Sequence, residues 1–272
     1  MAIDAGRLYS SQGEGMLSTV HAAGSAQAPH RGSAMEQRRP RFIEDQLQIP
    51  QFRFPVLHRR RLTDLIDRAT RYRVALVCGP GGAGKTVACA AWAAAQREDR
   101  QVVWLSLNAG EDNAWFWAGI CAGLTRARAV PPEAMGALED VSADDFPLRL
   151  AEVMRLLTVP MVLVLDNAHL LTDGAVLAGL DRLIRLAPPT LCLFLSGRRP
   201  PGLRLERLQA SGELGVVGAA SLACTPDEVD AYRALLWPEA DATARDELLE
   251  HAEGSISGLR LLLPADQEYL VG

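Results

Sequence analysis

Lysine is almost missing from this 272-residue chain: Lys85 stands alone against 27 arginines. Other scarcities exclude whole classes of protein. The five cysteines, Cys78, Cys89, Cys121, Cys192 and Cys224, are scattered singly, with no C-x-x-C pair and no His nearby. That spacing speaks against a metal cluster and a disulfide framework, and fits a reduced, cytoplasmic setting. Long apolar runs are lacking too. Val87–Ala95, the longest tract near the lone lysine, is nine residues, well short of the ~18 a membrane span needs. The N-terminus has no basic region followed by an apolar stretch, so it does not read as a secretory signal. Net charge is unevenly spread along the chain. Residues 1–61 hold nine Arg against five acids, while the whole chain carries −5. An acidic main body argues against direct DNA binding by the folded part of this chain.

What is present centres on that lysine. It lies in Gly79-Pro80-Gly81-Gly82-Ala83-Gly84-Lys85-Thr86, which fits G-x-x-x-x-G-K-[ST], the phosphate-cradling P-loop. A chain that uses Arg for nearly every other cation keeps Lys where a slim ammonium must fit among phosphate oxygens; the wide planar fork of Arg has a different shape. The glycines allow a tight turn whose N–H groups face phosphate, and the helix that follows adds the positive end of its dipole. Lys85 is expected to neutralise β- and γ-phosphate charge, and Thr86 to offer its hydroxyl to Mg²⁺. The alternative is a Gly-rich strand-to-helix turn with an idle lysine.

Strands and helices alternate around this motif. Val74–Val77, Val102–Leu107, Met161–Leu165, Leu191–Leu195 and Leu214–Val217 read as apolar strands. Segments near 62–69 and over 86–96, 113–126, 146–157 and 174–186 read as helices. Continuous apolar strands separated by helices predict a mainly parallel sheet buried on both faces, a three-layer α/β P-loop NTPase fold. Thr225-Pro226-Asp227-Glu228 is a capping box with Pro at the first helical position. It predicts a helix there, another from about Thr243 to Ala252, and so the start of a small helical lid. The organisation expected is a disordered tail over 1–40, a basic arm and short helix over 41–70, the NTPase core over 71–220 and a partial lid over 221–272. The first 34 residues also read as an upstream extension, with Met35 opening the denser segment.

Asp166 closes the apolar strand Met161–Leu165. A carboxylate at the end of a buried strand beside a P-loop is placed for a second Mg²⁺ contact; a helix N-cap is the plainer alternative. Many P-loop ATPases have an acid at the next position, and this chain has Asn167. A neutral amide orients water but cannot take its proton, so slow or no hydrolysis is expected. Arg198 and Arg199 follow the strand Leu191–Leu195 and read either as a γ-phosphate charge sensor or as a solvated basic loop. For Arg59-Arg60-Arg61 a solvated face leads over a nucleotide or partner contact. Trp115-Phe116-Trp117 is expected to pack into the core, and His169 to be structural.

The ensemble resembles the N-terminal ATPase module of the MalT-like large LuxR-type regulators, part of the STAND class of signalling P-loop ATPases. The matching pieces begin with Ile49-Pro50, Leu57-His58-Arg59-Arg60-Arg61-Leu62, the loop Gly79–Thr86 and Trp92. Trp104-Leu105-Ser106-Leu107, Glu111-Asp112-Asn113 and Phe116-Trp117 follow. Leu165-Asp166-Asn167-Ala168-His169-Leu170, Ser196-Gly197-Arg198 with Pro201 and Leu203, and Thr225–Tyr232 complete the set. The likeness spans about residues 41–263. It implies an ATP/ADP switch that is ADP-bound when idle and self-associates, or engages a regulatory protein partner, when ATP-bound. The chain departs from the family at Asn167, where a second acid is usual, and at Ser255, where Trp is usual. It also stops before the sensor and helix-turn-helix regions that the family carries, which implies either a truncated product or one that works with separate partners. Two other readings stand beside the switch: an ATP-hydrolysing AAA-like enzyme or small-molecule kinase, and a degenerate ATP-binding scaffold.

Overall fold

Five apolar runs form one parallel sheet in the order β2-β3-β4-β1-β5. They are β1 (Val74–Cys78), β2 (Gln101–Ser106), β3 (Met161–Asp166), β4 (Leu191–Gly197) and β5 (Leu214–Val217). The structure, a computed structural model, describes residues 45–96, 100–141, 144–236 and 255–262. All of them belong to the compact unit Pro40–Gly272. The expected tail over 1–40 and the helix from Thr243 to Ala252 lie outside the described residues.

The central strands are buried at every position of β3 and β4, which is why they read as unbroken apolar runs. Successive side chains point to opposite faces of a strand, so two cores result. Val162, Val164, Cys192 and Phe194 pack with α1 (Arg60–Ala69) and α2 (Lys85–Ala94). Leu163, Leu165, Leu193 and Leu195 pack on the other face with α3 (Asn113–Ala127), α4 (Phe146–Met154), α5 (Gly174–Leu186) and α6 (Leu205–Ala210). Trp92 of α2 stacks on Phe194 with ring centroids 5.6 Å apart. Phe116 and Trp117 enter the second core as expected, but Trp115 is 38% exposed, because three consecutive helical residues span too wide an arc to share one buried stripe.

The connection β1–α2–β2 steps across the sheet in one direction; those from β2 to β3, β4 and β5 step back in the other. Right-handed crossovers then place α2 on one face and α3, α5 and α6 on the opposite face. The strand order reverses beside β1, which opens a crevice at the carboxyl ends of β1 and β4, the usual ligand position in such sheets. The Gly79 N–H donates to Gly197 O at 3.3 Å across this crevice.

Beyond β5 come α7 (Ala219–Leu222), α8 (Pro226–Leu236) and α9 (Ile256–Leu262). The expected capping box forms: Glu228 N–H donates to Thr225 Oγ1 at 3.3 Å, and Thr225 N–H to Glu228 Oε2 at 3.1 Å. Helices α6, α7 and α9 and the 3₁₀ turns Pro132–Leu138 and Ala168–Leu170 have no counterpart in the expected elements, since such short elements carry little periodicity.

The Arg59–Arg61 segment differs most from expectation. Arg59 is only 7% exposed. Its Nε and Nη2 donate to Glu228 Oε2 at 3.1 and 2.8 Å, and Nη2 also donates to the carbonyls of Leu222 and Ala223. Arg61 donates to the Ser221 and Ala223 carbonyls and to Glu228. Arg59 and Arg61 thus tie the arm to α7 and α8, while Arg60 keeps the exposed position expected of a solvated face.

Candidate functional site

The loop Gly79–Gly84 leaves β1 and enters α2 at Lys85. Its backbone needs glycine at two points, since Gly82 has φ +78° and Gly84 φ +76°, a region costly for residues with a Cβ. Gly79 is required by space, because a Cβ there would lie 2.7 Å from Leu222 Cδ1. Lys85 Nζ donates to Gly79 O at 2.8 Å and to Pro80 O at 2.7 Å, so it lies along the loop. Burial lowers its pKa, helped by the Arg198 cation and opposed by Asp166 and Cys78.

Asp166 ends β3 and is 3% exposed. Thr86 Oγ1, on the first turn of α2, donates to Asp166 Oδ2 at 2.9 Å. A hydroxyl and a carboxylate brought together from positions 80 residues apart form a hard-oxygen pair of the kind Mg²⁺ prefers. The donor set therefore fits that ion. Asp166 is not a helix N-cap: the following 3₁₀ turn is preceded by Asn167, whose side chain makes no cap bond. Asn167 has φ 59°, a left-handed conformation that Asn tolerates better than most residues.

Arg198 and Arg199 are both exposed. The Arg198 guanidinium lies over the loop, with Nε and Cζ 3.8 Å from where a Gly81 Cβ would be. Both cations act on His169. Burial lowers the pKa of that imidazole, followed by Arg198, Lys85 and Arg199, against Asp166. Its Nδ1 is buried with no hydrogen-bond partner, and Ser196 Oγ near the end of β4 is buried beside the Cys89 thiol. His169 packs so tightly on Gly197 that a Cβ there would sit 3.0 Å from the His169 backbone nitrogen. The segment Ser196-Gly197-Arg198 thus brings a buried hydroxyl, a close backbone approach and a cation to the crevice beside the loop.

Beside the loop, on the α2 face, lies an apolar cavity of about 80 Å³. Phe54, Val56, Val87, Ala91, Tyr232 and Ile256 line it, with Arg59 at its wall. The Arg59 Nη1 is buried without a partner. Sequence reasoning missed the arm and the lid helices as walls of one site. The sequence signals were the lesser alternative of a nucleotide or partner contact for Arg59-Arg60-Arg61 and the capping box ending at Glu228, the residue that holds Arg59.

Comparison with known proteins agrees with this arrangement. The AAA ATPase domain family matches residues 57–195, just over half of the chain. The serine/threonine-protein kinase PknK of Mycobacterium tuberculosis is 27% identical over 213 residues, covering 75% of this chain and 19% of that protein. The HTH-type transcriptional regulator MalT of Klebsiella pneumoniae is 27% identical over 217 residues, covering 75% and 23%. The chain thus spans about a fifth of the length of these curated relatives. Among solved structures, a signal transduction ATPase with numerous domains and a tetratricopeptide repeat sensor, from Pyrococcus horikoshii, aligns with TM-score 0.55 at 17% identity over 79% of this chain and 30% of that one. A Walker-type ATPase of Pyrococcus abyssi aligns with TM-score 0.53 at 13% identity over 75% and 65%. The five-stranded parallel sheet, the glycine loop that opens α2 and the matched segment agree: this chain belongs to the AAA ATPase domain family, with a P-loop NTPase fold, and is related to MalT.

Proposed function

We propose that the chain is an ATP/ADP-binding regulatory module that works as a nucleotide switch with slow or no hydrolysis. The observation that carries this reading is the Thr86–Asp166 hydrogen bond of 2.9 Å beside the Gly79–Thr86 loop. In this reading the loop N–H groups hold the phosphates and Lys85 turns from its own carbonyls to the β- and γ-oxygens. Thr86 and Asp166 would hold Mg²⁺, which when bound neutralises charge between those oxygens. Arg198 reaches the γ-phosphate and reports its presence. The apolar cavity takes the base, with Arg59 Nη1 as donor to an acceptor on its edge. Asn167 orients water without taking its proton, so the bound nucleotide persists as a signal.

The likeness to MalT supports a regulatory setting in the cytoplasm, with self-association or a regulatory protein partner as output; the acidic main body speaks against DNA contact by this chain, and no described helix is long and apolar enough to cross a membrane. Isothermal titration with ATP and ADP is the test. Lys85→Ala is expected to abolish binding, and unchanged affinity would sink the reading. A turnover enzyme of AAA type is the second reading, favoured by the polar groups Ser196 and His169 at the crevice. It expects multiple-turnover phosphate release that collapses in Asp166→Ala.

A further inference from the structure

The Gly82 carbonyl, at the tip of the loop, is held by the start of α9. Ser255 Oγ donates to it at 3.0 Å and the Ser257 N–H at 3.1 Å. Ser255 is also the N-cap of α9, since its hydroxyl accepts from the Gly258 N–H at 3.3 Å. Close packing accompanies these bonds: a Cβ on Gly84 would sit 2.6 Å from Ile256 Cγ2. The helix is itself anchored. Leu259 is fully buried with Cys224, Val229 and Tyr232; Val229 and Tyr232 belong to α8, which the Arg59–Glu228 pair ties to the arm. Ser255 and Gly82 are 173 residues apart in the chain.

A trans peptide holds its C=O and N–H on opposite sides. Tying the Gly82 carbonyl to α9 therefore turns the Ala83 N–H of the same peptide away from α9. A phosphate loop works through the aim of such N–H groups. We propose that Ser255 is a positioning residue that couples the seating of α9 to phosphate affinity through the Gly82 carbonyl. This rests on the reading of Gly79–Thr86 as a phosphate loop. The coupling runs both ways: phosphate held by the loop strengthens the seating of α9, and an unseated α9 weakens phosphate binding.

The test separates capping from clasping. In Ser255→Asn the amide both accepts from Gly258 and donates to Gly82. In Ser255→Asp the cap is kept, but an ionised carboxylate has no proton to donate. Ser255→Ala loses both without adding charge. ADP affinity by titration is expected to stay within about twofold of wild type in Ser255→Asn and to weaken at least about fivefold in Ser255→Asp and Ser255→Ala. Amide exchange over residues 256–259 is expected to slow on adding ADP in wild type and Ser255→Asn, but not in the other two. Equal ADP affinity in Asn and Asp, or an exchange response preserved in Ser255→Asp, overturns the clasp while leaving the phosphate loop standing. Wild type that binds ADP no better than Lys85→Ala overturns both.

Discussion

Single side chains at the crevice divide into those that hold charge and those that could move a proton. Lys85, Thr86, Asp166 and Arg198 are of the first kind. Each has a neighbour that positions it: the Gly79 and Pro80 carbonyls for Lys85, the Thr86 hydroxyl for Asp166, and the loop at Gly81 for Arg198. Asn167 cannot accept a proton, and its left-handed backbone is one that Asp also tolerates. Asn167→Asp is therefore expected to fold and to raise steady-state phosphate release by about tenfold or more. A colorimetric phosphate assay checks it; no increase would mean that turnover is limited elsewhere. Lys85, Thr86 and Asp166 were legible in the sequence because a local motif and a strand end identify them. Arg59 and Ser255 were not, because their roles come from partners more than 160 residues away.

At the level of elements, the join between arm and lid depends on one carboxylate. Burial would raise the Glu228 pKa, but Arg59, the Thr225 N–H and Arg61 outweigh it and hold the carboxyl below its usual range. A lowered folded-state pKa stabilises the native state at pH above the ordinary Glu value of about 4.3, and that contribution is lost as pH falls through the lower folded value. Glu228→Ala leaves the buried Arg59 guanidinium without its counter-charge, at an expected cost of about 3 kcal/mol or more. Urea denaturation at pH 7 measures it, and the gap from wild type should shrink as pH drops below about 4. A gap that stays constant with pH would show that packing, not charge, joins these elements. The capping box announced the start of α8 in the sequence, but nothing local said that its Glu would also receive two arginines from the arm.

For the whole molecule, loop, lid and arm meet around one apolar cavity, so ligand binding should stabilise the fold that assembles it. At a ligand concentration of 100 times Kd the gain is about 2.7 kcal/mol, roughly 5–10 °C in Tm for a domain of this size. A melt followed with and without Mg·ADP checks it; the rise should be missing in Lys85→Ala. An equal rise in that variant would move the binding site away from the loop.

The sequence by itself determined the parallel α/β core, the glycine loop Gly79–Thr86 and the carboxylate of Asp166 that faces it. Strand burial and glycine geometry are local or short-range requirements, and they leave periodic and motif signals. Only the tertiary structure decided that Arg59 is buried in an ion pair, that Arg198 and not Arg199 lies over the loop, and that α9 grips Gly82. Those outcomes depend on how the crossovers bring distant segments to one crevice, and a charged or hydroxyl side chain carries no mark of the partner it will meet.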